Sequence, residues 1–324
     1  MIRKMMLVLV LLLALPVAAM ADYSMPVADG DLSLYPDLDK NVKNILLIGT
    51  DTRENDMDTG RADTMMICSI NQDTGMVHVT SLARDTWVTM GENGHQNKLN
   101  AAHTFGGPNL LMQTINRTYH LNIEEYVTVN FYGICDIVDT LGGVTIQLQE
   151  DEPWAINTTV DESYGDYGDV RITPVPSDAT EARLCGAQAL AYARIRKLDD
   201  DFGRQARQRN LLMAMAREVG NCSIPQMITL AKTCFEYVKT NLSLLDIISL
   251  ATKVLTTGIA DIQMHAYPQE GEFKYDSADG VSKLFIDIIN CMQQGDIEMK
   301  IYTNIYAGYN AELIQDMTDR PINS

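Results

Sequence analysis

The chain has 324 residues, 46% of them apolar and 21% charged, with 43 acidic against 25 basic side chains and a formal net charge of −18. Such acidity excludes a broad basic face for nucleic acid. Charges farther apart than ~8 Å are screened at physiological salt, so a local basic cluster can still take an anion.

Arg3 and Lys4 precede an apolar run from Met5 to Val17, and Ala18, Ala19, Met20 and Ala21 follow ahead of Asp22. This order of charge, apolar run and small residues is that of an export signal over 1–21, cleaved after Ala21, with an uncleaved N-terminal anchor as the alternative. The run is shorter than the ~20 residues a spanning helix needs. A polar leader occupies 22–42, a single domain 43–295 and a C-terminal tail 296–324, because nothing between Lys43 and Cys291 reads as a linker.

In chain order, Lys43–Gly49 reads as a buried strand, and Thr64–Ile70 and Met76–Leu82 as a hairpin around Asn71-Gln72-Asp73-Thr74-Gly75. The spacing predicts a helix over Pro108–Tyr119, a strand over Tyr126–Phe131, a helix over Gly133–Leu141 ending at Gly142-Gly143, and an extended Val144–Leu148. Gln149–Pro176 is acidic and rich in Gly, Tyr and Pro, and reads as an exposed excursion. Helical spacing returns at Gly186–Ala193, Gly203–Val219, Pro225–Thr240 and Leu244–Thr257, then a strand at Asp261–Tyr267 and a closing helix at Ser277–Met292. The sum predicts an α/β fold, a central mixed sheet with helices on both faces. Of the six cysteines, none has metal-ligand spacing, and Cys68, inside an apolar run, reads as core; Cys135, Cys185, Cys222, Cys234 and Cys291 are left free or paired.

Three groups could carry chemistry. Asp51 lies just past the first strand and Asp63 just before the second, beside Arg61; two carboxylates brought together there suit a hard divalent cation, while capping of turns is the plainer reading of the spacing. Arg84 and Asp85 follow the third strand, with Lys98 downstream; alone they could be an ordinary surface pair. The richest group runs from Tyr192 to Arg209. The spacing sends Arg194 and Arg196 the same way from an extended segment, and Arg204, Arg207 and Gln208 share one helix face. Guanidinium groups grip phosphate oxygens through paired hydrogen bonds, so a pyrophosphate suits this cluster; a solvated face neutralised by Asp199, Asp200 and Asp201 is the alternative. His78, His95, His103, His120 and His265 are scattered and read as structural, and no G-x-S-x-G or H-E-x-x-H occurs.

Taken in order, Gly49-Thr50-Asp51-Thr52-Arg53, Arg61-Ala62-Asp63-Thr64, Ser81–Asp85, Lys98–Ala102, Gly142-Gly143-Val144 and Tyr192–Gln208 resemble the LytR-CpsA-Psr family over roughly Asn44–Asn210. The resemblance implies an α/β/α sandwich around the mixed sheet, with an apolar groove for a polyprenyl chain. It implies a phosphotransferase that moves a glycopolymer from a polyprenyl-pyrophosphate carrier to peptidoglycan at the outer face of the cytoplasmic membrane, with pyrophosphatase side activity. It matches Asp51 and Asp63 to magnesium ligands, with Mn²⁺ as substitute, and Arg61, Arg84, Lys98, Arg194, Arg196, Arg204, Arg207 and Gln208 to positions around the pyrophosphate. Arg61, Asp63 and Arg84 are the implied reacting set. Ala83 stands where the family motif has proline. Relatives mostly keep a membrane anchor, so a cleaved signal would leave this chain secreted or peripheral. A polyprenyl-phosphate-binding regulatory module, and a pyrophosphatase without transfer, are the alternatives.

Overall fold

A computed structural model of the chain describes residues 31–35, 38, 40–51, 60–91, 94–164, 172–219, 221–222, 226, 229–230, 233, 237–243, 261–269, 272–277 and 280–286. The export signal, the C-terminal tail and the helix expected at 244–257 lie outside these residues. Among the described residues no helix is long and apolar enough to cross a membrane.

The elements are β1 (Val42–Thr50), β2 (Ala62–Asn71), β3 (Met76–Leu82), β4 (Trp87–Met90), β5 (His95–Lys98), α1 (Ala101–Tyr119), β6 (Glu125–Asn130) and α2 (Phe131–Thr140). They continue with β7 (Val144–Gln147), α3 (Glu152–Tyr164), β8 (Glu181–Leu184), α4 (Gly186–Arg194), α5 (Asp201–Val219), β9 (Val238–Thr240), β10 (Asp261–Tyr267), β11 (Phe273–Asp276) and β12 (Lys283–Ile286). A six-stranded sheet runs in the order β10-β3-β2-β1-β6-β9. It is mixed: β1/β2 and β2/β3 are antiparallel, β3/β10 parallel. The chain is therefore a mixed α/β fold with a central sheet, as its alternation of elements predicts.

The residues form two compact units, parted within β6 between Thr128 and Val129. In the first, from 31 to 128 together with 261 to 286, Leu46, Ile48, Met65, Ile67 and Leu82 of the sheet share one buried cluster with Leu111, Met112, Ile115 and Tyr119 of α1. Full burial of each such aliphatic side chain contributes about 1.5–3 kcal/mol. Cys68 is core, as read, and burial pushes its thiol up to about 12.

In the second unit, from 129 to 243, α4 packs against α2, α3 and α5. Gly186 opens α4 so close to α2 that a Cβ would overlap the Cys135 backbone. Asn130 caps α2 by accepting the Gly133 N–H at 2.8 Å.

Several elements differ from expectation. The first helix begins at Ala101, not Pro108; a kink at Gly106 and Gly107, where Gly107 takes φ +62°, makes Pro108 the opening of its second stretch. The excursion at Gln149–Pro176 contains α3, whose polar, acidic composition hides Ala155 and Ile156 buried beneath it. The helix expected at Pro225–Thr240 holds at its described residues Gln226, Thr229, Leu230, Thr233 and Tyr237 and is cut short by β9 at Val238–Thr240, while the closing helix expected at Ser277–Met292 contains β12 instead. There, cross-strand pairing with Phe273–Asp276 and full burial of Leu284 override the helical spacing.

Candidate functional site

The first group of residues assembles at one end of β1 and β2. Register pairs Gly49 with Thr64 and Thr50 with Ala62, so Asp63 is the extra residue of a bulge. A bulge twists the strand locally and re-aims its side chain. Gly49 permits the crossing, since a Cβ there would lie 2.9 Å from that of Thr64. Asp51 Oδ1 accepts the Arg61 N–H at 3.0 Å, tying the two strand ends together.

Arg84 Nη1 donates to Asp63 Oδ1 at 2.7 Å, with each side chain 19% exposed. A charged hydrogen bond in such a half-buried place contributes about 1.5–3 kcal/mol. The loop behind Arg84 is braced by backbone. The Ala83 N–H donates to the Tyr267 carbonyl at 2.9 Å, the Asn100 N–H to Arg84 at 3.2 Å, and the Leu284 N–H to Asp85 at 3.0 Å. A proline at position 83 could not make the first of these bonds. Lys98 Nζ lies 2.9 Å from Asp85 Oδ1, extending the charge chain from Asp63 to Lys98.

His103, read as merely structural, has a part here. Its Nδ1 lies 2.8 Å from the Gly60 carbonyl, which can only accept, so Nδ1 carries the proton. Thr104 Oγ1 donates to the same carbonyl at 3.3 Å. Together they pin the start of β2, and with it Arg61 and Asp63, to the first turn of α1. No motif signals this, because the partner is a backbone oxygen.

The arginine-rich group lies in the second unit, around the end of α4 and the start of α5. Arg194 is the last residue of α4 and Ile195 its cap, so Arg194 and Arg196 do not leave one extended segment as the spacing suggested. The Arg194 guanidinium sits 4.4 Å above the Phe131 ring, and Arg196 is exposed. Arg204 and Arg207 do share a face of α5, and it is buried: they are 3% and 4% exposed. Arg204 pairs with Asp201, while Arg207 grips both oxygens of Asp199. Gln208 is half-buried beside them, and burial lowers the Arg209 guanidinium from its usual range. Sequence reasoning missed Glu152, whose buried carboxylate lies 3.6 Å from Arg207 Nη1. Tyr192, which opens the motif without a role of its own in the sequence reading, is buried, and burial pushes its phenol up.

Among the described residues no group of three or more His, Cys, Asp or Glu is arranged to hold a metal. Asp51 and Asp63 supply two carboxylates from neighbouring strand ends. That donor set fits Mg²⁺, which takes one or two carboxylates and completes its shell with water and phosphate oxygens.

Comparison with known proteins adds the following. The teichoic acid transferase TagU of Bacillus subtilis (strain 168), named as acting between polyisoprenyl-teichoic acid and peptidoglycan, is 33% identical over 207 residues, 63% of this chain and 61% of that protein. Its namesake in Oceanobacillus iheyensis is 36% identical over 193 residues, 57% of this chain and 54% of that protein. The matched stretch thus spans somewhat over half the length of these curated relatives. The structure of TagT bound to LI-WTA superposes with a TM-score of 0.63 at 21% identity, covering 89% of this chain and 98% of that one, a likeness of fold. The LytR_cpsA_psr family model matches residues 20–294, and the chain belongs to that family.

Proposed function

We propose that the chain is a glycopolymer transferase, moving a teichoic-acid-like polymer from a polyisoprenyl-pyrophosphate carrier to peptidoglycan outside the cytoplasm. Membership of the family and the TagU relatives support the substrate class. The observation that carries the reading is the Arg84–Asp63 pair at the strand-end bulge, where both groups stay partly open to solvent.

In the proposed step an acceptor hydroxyl of peptidoglycan attacks the glycan-proximal phosphorus. The new O–P bond forms as the bond to the lipid phosphate breaks, the hydroxyl proton passes to solvent, and the lipid monophosphate departs. Arg84 turns from Asp63 toward the phosphoryl oxygens and balances charge that grows on them. Arg61 and Lys98 of this unit take further oxygens. Within the second unit, taken by itself, Arg194, Arg196, Arg204 and Gln208 are the proposed phosphate-facing residues. Asp51 and Asp63 would hold Mg²⁺, or Mn²⁺ in its place, which when bound neutralises phosphate charge. Apolar surface takes the polyisoprenyl tail, at ~0.8 kcal/mol for each CH₂ removed from water.

Transfer of radiolabelled glycan from a polyisoprenyl-pyrophosphate donor to peptidoglycan by the purified chain tests this. Arg84→Ala is expected to lower the rate by about 10²–10³, the loss typical of one charge-stabilising donor, and a chelator to abolish it. Transfer that survives Arg84→Ala would remove the reading; donor binding without transfer would turn it to a regulatory module.

A further inference from the structure

Arg207 is only 4% exposed, and both of its Nη atoms face protein acceptors. Nη1 donates to Asp199 Oδ2 at 2.8 Å and Nη2 to Asp199 Oδ1 at 2.5 Å, a two-pronged match of fork to carboxylate. Nη2 also donates to the Ile195 carbonyl at 3.0 Å. Glu152, from the start of α3, places a second carboxylate oxygen 3.6 Å from Nη1. One guanidinium between two carboxylates carries no spare positive charge, so a phosphate there would meet a net negative pair of partners and be repelled.

We propose that Arg207 is a positioning residue and not a phosphate ligand: by clamping Asp199 and the Ile195 carbonyl it sets the turn from which Arg194 and Arg196 project. The proposal deepens the function above and rests on Arg194 and Arg196 facing phosphate. Ile195 stands between those two arginines, so a hold on its carbonyl orients both. The rest of the chain is cut to fit. Gly203 faces Asp199 so closely that a Cβ would overlap the carboxylate, which makes Gly203 the residue that lets Asp199 reach Arg207. Asp200 Oδ1 accepts the Phe202 and Gly203 N–H groups at 3.0 and 3.1 Å, closing the start of α5 onto the same turn. Burial tends to lower the Arg207 pKa, but hydrogen bonding to Asp199 and the charges of Asp199 and Glu152 outweigh it and hold the group above its usual range.

The two roles differ in what Asp199→Asn does. A phosphate-binding Arg207 would be released by that change, and the full chain would bind inorganic pyrophosphate as well or better. A positioning Arg207 would lose its grip, and affinity should fall at least about tenfold, as outer partners of binding groups typically do. Calorimetric titration with inorganic pyrophosphate is the measurement, on wild type, Asp199→Asn, Arg207→Met, their double variant, Arg207→Lys and Gly203→Ala. The expected result is equal losses for Asp199→Asn and Arg207→Met, no further loss in the double variant, and no rescue by Lys, which keeps the charge but not the fork. Arg183→Met, which removes the Arg183 bonds to Glu218, the Gly142 carbonyl and Thr145 Oγ1 and none in the turn at 195–203, should leave affinity unchanged.

Unchanged or tighter binding by Asp199→Asn, or recovery in Arg207→Lys, would overturn the proposal. Should wild type itself not bind pyrophosphate, the phosphate-facing reading of Arg194 and Arg196 fails, and the brace is judged by hydrogen exchange. Faster exchange at amides 195–203 in Asp199→Asn and Arg207→Met alike, but not in Arg183→Met, then upholds the clamp; unchanged exchange there removes it.

Discussion

Arg84 and Arg207 each face an aspartate, one in each unit, and the two pairs sit at different depths. Arg84 and Asp63 both keep 19% of their side chains exposed, whereas Arg207 keeps 5%, its partner Asp199 reaches solvent at 38%, and the guanidinium is shared among Asp199, the buried Glu152 and a carbonyl. A half-open pair can exchange its carboxylate for a phosphate at modest cost, because water stabilises each partner during the change. Arg207 cannot, because its guanidinium has little water to replace Asp199 and is held besides by the buried Glu152 and the Ile195 carbonyl. Two arginines with similar motif logic thus suit different tasks: one to meet a substrate, the other to hold the chain.

The comparison is tested most severely by stability. Arg207→Met strands the buried Glu152 carboxylate and should destabilise the fold by about 3–5 kcal/mol, whereas Arg84→Met should cost clearly less in the same urea titration. Equal costs would break the distinction. A smaller effect sharpens the picture of the first unit's interior. The buried Cys68 thiol holds its proton up to about 12, while an unfolded thiol loses it near ~8.5. The folded state therefore binds more protons between those values, and stability that is complete below ~8.5 declines as pH rises toward 12. Denaturant titrations from neutral to alkaline pH should show that slope, and Cys68→Ala should flatten it. Smallest of all, Lys98→Met removes a pair with 25% and 18% exposed partners and should change stability by less than about 1 kcal/mol. Any larger loss would mean that Lys98 braces the Arg84 loop as well as charging it.

Much of the scaffold was legible. β1, the β2–β3 hairpin, β10, α4 and α5 all lie near their expected bounds, because each carries a long apolar or periodic run that local physics alone interprets. β5, His-Gln-Asn-Lys, and the acidic α3 lacked that signal; they exist through partners, Trp87–Met90 for one and the α4 face for the other. β12 carried a misleading signal, helical in spacing but drawn into a strand by its neighbour Phe273–Asp276.

At the candidate site, the residue types were readable and their pairings were not. Carboxylates at strand ends and arginines in a cluster announce phosphate and cation chemistry by composition, and the motif order announces the family. That Asp63 is lifted by a bulge onto Arg84, that His103 holds the Gly60 carbonyl, and that Arg207 is consumed by Asp199 and Glu152 depend on strand register and helix packing. Periodicity and spacing act over a few residues and were set by this chain's order alone. Which charge meets which is decided by segments far apart in sequence, brought together only when the apolar faces close.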